Sequence, residues 1–97
     1  MLHIVNKSHF QTSSLASCLR LARAGDALLL CEDAVLAATG AGSSGLAAAL
    51  QRCKVYVLQP DVQARGMAGK LIDGVVPVDY GGFVDLVAEH PNNQSWL

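Results

Sequence analysis

Four short apolar runs punctuate the chain, and stretches of helical periodicity lie between them. Leu2-His3-Ile4-Val5 reads as a first strand and is followed by a polar loop from Asn6 to Thr12. Ser13 and Ser14 then offer helix caps, and Leu15, Cys18, Leu19 and Ala22 recur at i, i+3, i+4 and i+7. That spacing puts one apolar face on a helix running to about Ala24, with Gly25 as its stop. Ala27 to Cys31 (ALLLC) is a continuous apolar run between Asp26 and Glu32, the pattern of a strand covered on both faces. Asp33 can cap a short helix to Thr39, and a second helical stretch spans about Ser44 to Arg52. Lys54 to Leu58 (KVYVL) is β-branched and apolar, hence another buried strand. Pro60-Asp61 opens a short helix that ends near Ala64-Arg65-Gly66. Val75 to Val78 (VVPV) is a fourth strand, and Pro77, which lacks a backbone donor, puts it at a sheet edge. Tyr80 to Glu89 is helical with Phe83, Leu86 and Val87 on one face. Pro91 stops it, and NNQSWL is read as a tail without an element of its own. Strands alternating with helices imply an α/β fold: a three-layer α/β/α arrangement with a mainly parallel sheet and right-handed crossovers.

Composition narrows the range of functions. A chain of 97 residues fits a single domain, 1–97, of marginal size. It is 52% hydrophobic and only 15% charged, against an average charged content of about 25%. A small domain so poor in charge is expected to bury part of its surface against another subunit. The net charge of −1, with no basic block, leaves no electrostatic footprint for direct nucleic-acid binding. The opening MLHIVNKSHF has no long apolar signal core, and no apolar run approaches the ~18 residues of a membrane span. Three cysteines, Cys18, Cys31 and Cys53, form neither an even set nor a CxxC pair, which points to free thiols in a reducing cytoplasm. The cysteines and histidines lack paired ligand spacing, so no metal and no cofactor is expected.

Two features could carry chemistry. Gly40, Gly42 and Gly45 spell GxGxxG within TGAGSSGLAAAL, the spacing of a dinucleotide-binding loop. Such a loop must leave a strand directly, whereas the residues from Glu32 to Thr39 intervene and read as helix. The favoured reading is an Ala/Gly/Ser connection between two helical pieces, with nucleotide binding as the remote alternative. In open parallel sheets, sites form beyond the carboxyl ends of the strands. Cys31, Glu32 and Asp33 lie at such an end, with the loop of Asn6, Lys7, Ser8 and His9 and with Gln59 to Asp61. Cys53 precedes its strand, at the opposite end. Cys18 falls on the flank of its helix's apolar arc, where half exposure is expected. For each cysteine the competing reading is a small buried filler. His3 and His90 read as structural or solvated.

The segments LHIVNKSHF…SSLASCL, LLLCEDAV, KVYVLQPDVQARG, VDYGGFVDLV and QSWL, in this order and spacing, resemble the TusB/DsrH family from Leu2 to Leu97. The resemblance implies a DsrE-like α/β/α layer. It also implies a place beside homologous TusC- and TusD-type sisters in a heterohexamer, on which a TusE-type carrier docks. Such complexes pass persulfide sulfur towards 2-thiouridine at the tRNA wobble position, or, in the related Dsr system, serve sulfur oxidation. The main sulfur-bearing cysteine of these complexes belongs to the D-type (or DsrE) sister. Cys18 matches a cysteine of DsrH-type members that other TusB-type members lack; Cys31 and Cys53 match none. Two readings follow: Cys18 as an auxiliary sulfur carrier, activated by the helix N-terminal side or by Lys7, His9 or Arg20, or the chain as a structural subunit. Charge-poor composition favours the second.

Overall fold

The four predicted strands pair side by side through their backbone ladders, with the fourth at one edge. The computed structural model describes residues 1–8, 13–39 and 45–96. Its strands are β1 (Leu2–Val5), β2 (Ala27–Leu30), β3 (Lys54–Leu58), β4 (Val75–Val78) and β5 (Asn93–Trp96). They form one sheet in the order β4-β3-β2-β1-β5, every pair parallel. The register sets Ile4 beside Leu29 and Leu29 beside Tyr56. β2, the run covered on both faces in the sequence, is buried at all four positions and sits at the centre. Pro77 lies on the edge strand β4, the position its missing donor implied.

The fifth strand corrects the sequence reading, which left NNQSWL without an element. β5 runs along β1 with Trp96 opposite Val5, tied in from its start by the Leu2 N–H donating to Asn92 O at 3.0 Å. Its side chains are mostly exposed. An edge strand that buries little needs no apolar alternation, so its sequence carries no strand signal.

The helices are shorter than their periodicity suggests. Helix α1 (Ser14–Leu21) ends before Ala24 because Ala22 is already extended. Arg52 holds that end: its Nη2 donates to Leu19 O at 2.7 Å and its Nη1 to Ala22 O. Glu32–Thr39 is a 3-10 helix rather than an α-helix. Helix α2 is confined to Leu46–Ala49, since the Arg52 and Cys53 N–H groups both turn back to Ala49 O before β3 begins. Helix α3 (Gln59–Ala64) starts with Pro60 in its first turn. Helix α4 (Tyr80–Glu89) is capped by Asp79, whose Oδ1 accepts from the Gly82 N–H at 2.7 Å.

Two cores of unequal size result. Leu15 and Cys18 of α1, Ala34, Val35, Ala37 and Ala38 of the 3-10 helix, Leu46 of α2 and Val62 of α3 pack on Val5, Leu28, Leu30, Val55 and Val57. On the other face, among the described residues, α4 alone contributes, with Leu86 and Phe83 meeting Leu2, Ile4, Ala27, Leu29, Tyr56 and Val78. Chain order explains the imbalance. The crossovers from β1 to β4 step in one direction and place their helices on one face, and only the return from β4 to β5 places a helix on the other.

Candidate functional site

Helical spacing delivers Cys18 to the larger core. Its side chain is 0% exposed, packed with Leu15, Val5 and Leu28, so the expected half exposure does not hold. The flank of a narrow apolar arc becomes interior once the sheet lies beneath it and Cys53 comes up beside it. Burial pushes the Cys18 thiol up to about 12, helped by the neighbouring Cys53 and Asp26 and opposed by Arg52. Arg20, expected as an activator, instead donates to Ser17 Oγ at 3.2 Å on the exposed side of the helix. His9 lies outside the described residues. A thiol so placed is almost wholly protonated at neutral pH, and the thiolate is the nucleophilic form.

The two other thiols are also held as thiols. Cys53 is buried, its Sγ donating to Arg23 O at 3.4 Å, and burial raises its pKa. Cys31 is half-buried beyond the end of β2, with Sγ 3.6 Å from Val5 O. Burial, then the carboxylates of Glu32 and Asp61, push it up to about 11 against the opposing field of Arg65.

At the carboxyl end of the sheet Cys31, Glu32, Asp33 and Asp61 lie near one another, while His9 lies outside the described residues. Glu32 takes a left-handed backbone with φ of 50°, uncommon for a residue with a side chain. Its N–H donates to Asp61 Oδ2 at 2.6 Å, and this charge-assisted bond offsets the conformational cost. Arg65 donates through Nε and Nη2 to Asp33 Oδ1 at 3.1 and 2.9 Å, fastening α3 to the 3-10 helix. Asp33, Asp61 and Arg65 are thus engaged with one another and with nearby backbone. Asn6 Oδ1 is buried and finds no hydrogen-bond partner among the described residues.

At the amino end lies a cluster that sequence reasoning missed. Asp26 Oδ2 accepts from the Arg23 N–H at 3.0 Å and lies 2.9 Å from His3 Nε2, while Oδ1 accepts from the Met1 amino group at 3.2 Å. Trp96 Nε1 donates to His3 Nδ1 at 3.1 Å, which makes Nε2 the protonated nitrogen that donates to Asp26. Burial alone would raise the Asp26 pKa, but these donors outweigh it and lower it from 3.8 to about 2. His3 is 3% exposed and both its ring nitrogens are engaged, so the cluster anchors rather than reacts. No spacing signal links positions 3, 26 and 96; the parallel register does.

The glycine motif is described only in part. Gly40 and Gly42 lie outside the described residues. Gly45, with φ of 78°, immediately precedes α2, and a Cβ there would meet Leu19 Cδ1 at 3.5 Å. The 3-10 helix Glu32–Thr39 stands between β2 and the glycines, as the sequence implied. Among the described residues no three His, Cys, Asp or Glu side chains come together as a metal site, and no helix is long and apolar enough to cross a membrane.

Layering and strand order define a small α/β/α protein built on a wholly parallel sheet. Solved structures share it. The ychN protein of Escherichia coli superposes with a TM-score of 0.81 at 21% identity, covering 97% of each chain. A protein of unknown function from Methanobacterium thermoautotrophicum gives a TM-score of 0.71 at 21% identity, over 97% of this chain and 95% of that one. Sequence relatives are closer. Protein TusB of Pectobacterium parmentieri is 38% identical over 96 residues, 99% of this chain and all of that protein. Protein TusB of Shigella flexneri is 36% identical over the same lengths. The model of the DsrH-like protein family matches residues 7–93, and the chain belongs to this TusB/DsrH family.

Proposed function

We propose that the chain is a cytoplasmic subunit of a TusBCD-type heterohexameric sulfur-relay complex. Homologous TusC- and TusD-type sisters complete the complex, and a TusE-type carrier docks on it. The assembly passes persulfide sulfur towards 2-thiouridine at the tRNA wobble position. Similarity to TusB along 99% of the chain supports this placement. Within the complex the chain acts chiefly as a scaffold. The carrying observation is the state of Cys18: fully buried, with its thiol pushed up to about 12. As an auxiliary carrier, Cys18 would attack the outer sulfur of a donor persulfide as a thiolate. One S–S bond would form on its Sγ as another breaks, and the donor thiolate would leave. That step needs Cys18 both exposed and deprotonated. A DsrH-like place in a sulfur-oxidation complex is the second reading, since the family model that matches residues 7–93 is that of DsrH-like proteins.

Intact mass spectrometry tests the proposal on the complex co-assembled with both sisters and loaded by a cysteine desulfurase, with wild type and Cys18→Ser side by side. The scaffold role predicts added sulfur on a sister and none on this chain. Added sulfur here that disappears in Cys18→Ser would make Cys18 a carrier. Failure of the wild-type chain to assemble with the sisters would remove the subunit reading altogether.

A further inference from the structure

Among its side chains, the last strand has one anchor. Asn93, Gln94 and Ser95 of β5 are exposed, and Trp96 is half-buried against the larger core. Gln94 stands opposite His3 and Trp96 opposite Val5, so the indole reaches back along β1 to the His3 ring. A group that can only donate thereby rests on a titratable acceptor. Trp96 Nε1 donates to His3 Nδ1 at 3.1 Å, and His3 Nε2 donates to Asp26 Oδ2 at 2.9 Å. His3 is 3% exposed, so water is no ready substitute for either partner.

This arrangement accepts only the neutral ring. A second proton would settle on Nδ1 and set N–H against N–H, and indole has no lone pair to offer in return. Nε2–H stays with Asp26, because a bond from imidazolium to carboxylate is the stronger of the two. Trp96 is therefore the partner that gives way. The indole presents its N–H edge, and the ring centroids stand 6.2 Å apart, so its π face is not placed to hold the cation.

The charges around the ring keep their state in mild acid. Asp26 precedes β2, Arg23 follows α1, and the Met1 amino group begins β1. Behind them lie Cys18 and Cys53, both in the fields of Asp26 and Arg52. Asp26 stays ionised to about pH 2 and the buried thiols stay protonated, so a proton enters the cluster through the imidazole. An open hollow of about 470 Å³, bordered by Leu21, Arg23, Gln94 and Trp96, gives that proton access and the indole room to turn.

We propose that Asp26, His3 and Trp96 form an acid-released latch, in which a second proton on His3 expels the Trp96 indole and frees β5 from β1 while the rest of the sheet stays closed. The opened state binds the proton better, so opening of β5 increases as the pH falls, by at most about tenfold per pH unit for a single proton. Release uncovers the backbone edge of β1 from Leu2 to Val5. The latch belongs to the chain by itself and does not depend on the subunit reading.

The test is NMR on the ¹⁵N-labelled chain between about pH 7.5 and about pH 5, with amide exchange corrected for its intrinsic pH dependence. In wild type the neutral His3 ring should carry its proton on Nε2, and the Trp96 indole N–H should lose protection along the same curve on which that ring titrates. Opening of the β5 amides should rise along it by up to about tenfold per pH unit, while the amides of β2 and β3 hold still. Trp96→Phe removes the donor and leaves His3 in place, so its β5 should open more at neutral pH and no longer respond to acid. A ring that carries its proton on Nδ1, that titrates with the indole N–H unmoved, or that does not titrate in this range overturns the proposal. Better protection of β5 in acid would mean that the imidazolium holds the indole by its π face, and the latch falls. It falls equally if β2 opens in step with β5, which is global unfolding, or if Trp96→Phe keeps the wild-type pH dependence, which places its origin in another group.

Discussion

Asp26 shows how much a single carboxylate can organise. Its 14%-exposed side chain gathers a backbone N–H, a histidine and the Met1 amino group, and through His3 it reaches Trp96 on the last strand. The donors hold its pKa at about 2 in the fold, below its ordinary 3.8. A depressed carboxylate stabilises fully above the unfolded value and loses that contribution as the pH falls through the folded one. Urea unfolding should therefore show stability from this group declining between about pH 4 and pH 2. Asp26→Asn should cost about 2 kcal/mol at pH 7 and flatten the curve across that window. The cluster is a consequence of register: the spacing that made Leu15 and Leu28 legible as core says nothing about residues 23 and 93 positions apart. Cys18 illustrates the converse. Its place on an apolar arc was readable, but its depth depended on what the sheet and Cys53 brought against it.

At the scale of elements, the recurring theme is that tertiary contacts shorten helices. Periodicity supported a first helix to about Ala24, yet α1 ends at Leu21, where Arg52 from the following βα unit takes the Leu19 and Ala22 carbonyls. Those carbonyls have no partner inside the helix, and a guanidinium at a helix C-terminus also meets a favourable dipole. Arg52→Ala should lower the urea midpoint by an amount equivalent to about 1 kcal/mol with an unchanged slope, while Arg20→Ala, on the same helix but bonded only to Ser17, should have little effect. β5 marks the opposite limit. A strand with an exposed, polar sequence forms because β1 offers a free ladder, and no local propensity forecasts it.

For the whole molecule, the asymmetry of the two faces governs how stability is distributed. The larger core binds α1, α2, α3 and the 3-10 helix to the sheet, whereas α4 and β5 hold the periphery with a smaller one. Native-state hydrogen exchange should follow that division. Amides of β2, buried throughout, should exchange last and near the global unfolding limit, and those of β5 and the end of α4 should exchange first through local opening.

Hydrophobic patterning by itself determined the alternation of strands and helices, the parallel α/β class, β2 as the doubly covered strand and the edge position of the Pro77 strand. These follow from periods of two and 3.6 residues and from one missing N–H, all of them local. The order of motifs along the chain carried the TusB/DsrH family. Only the tertiary structure decided that β5 exists, that Cys18 is sealed away, that Asp26, His3 and Trp96 meet, and that α4 is left half uncovered. Each of these depends on which segments, distant in sequence, the sheet brings side by side, and burial, pKa and exposure are properties of that proximity rather than of any one stretch of chain.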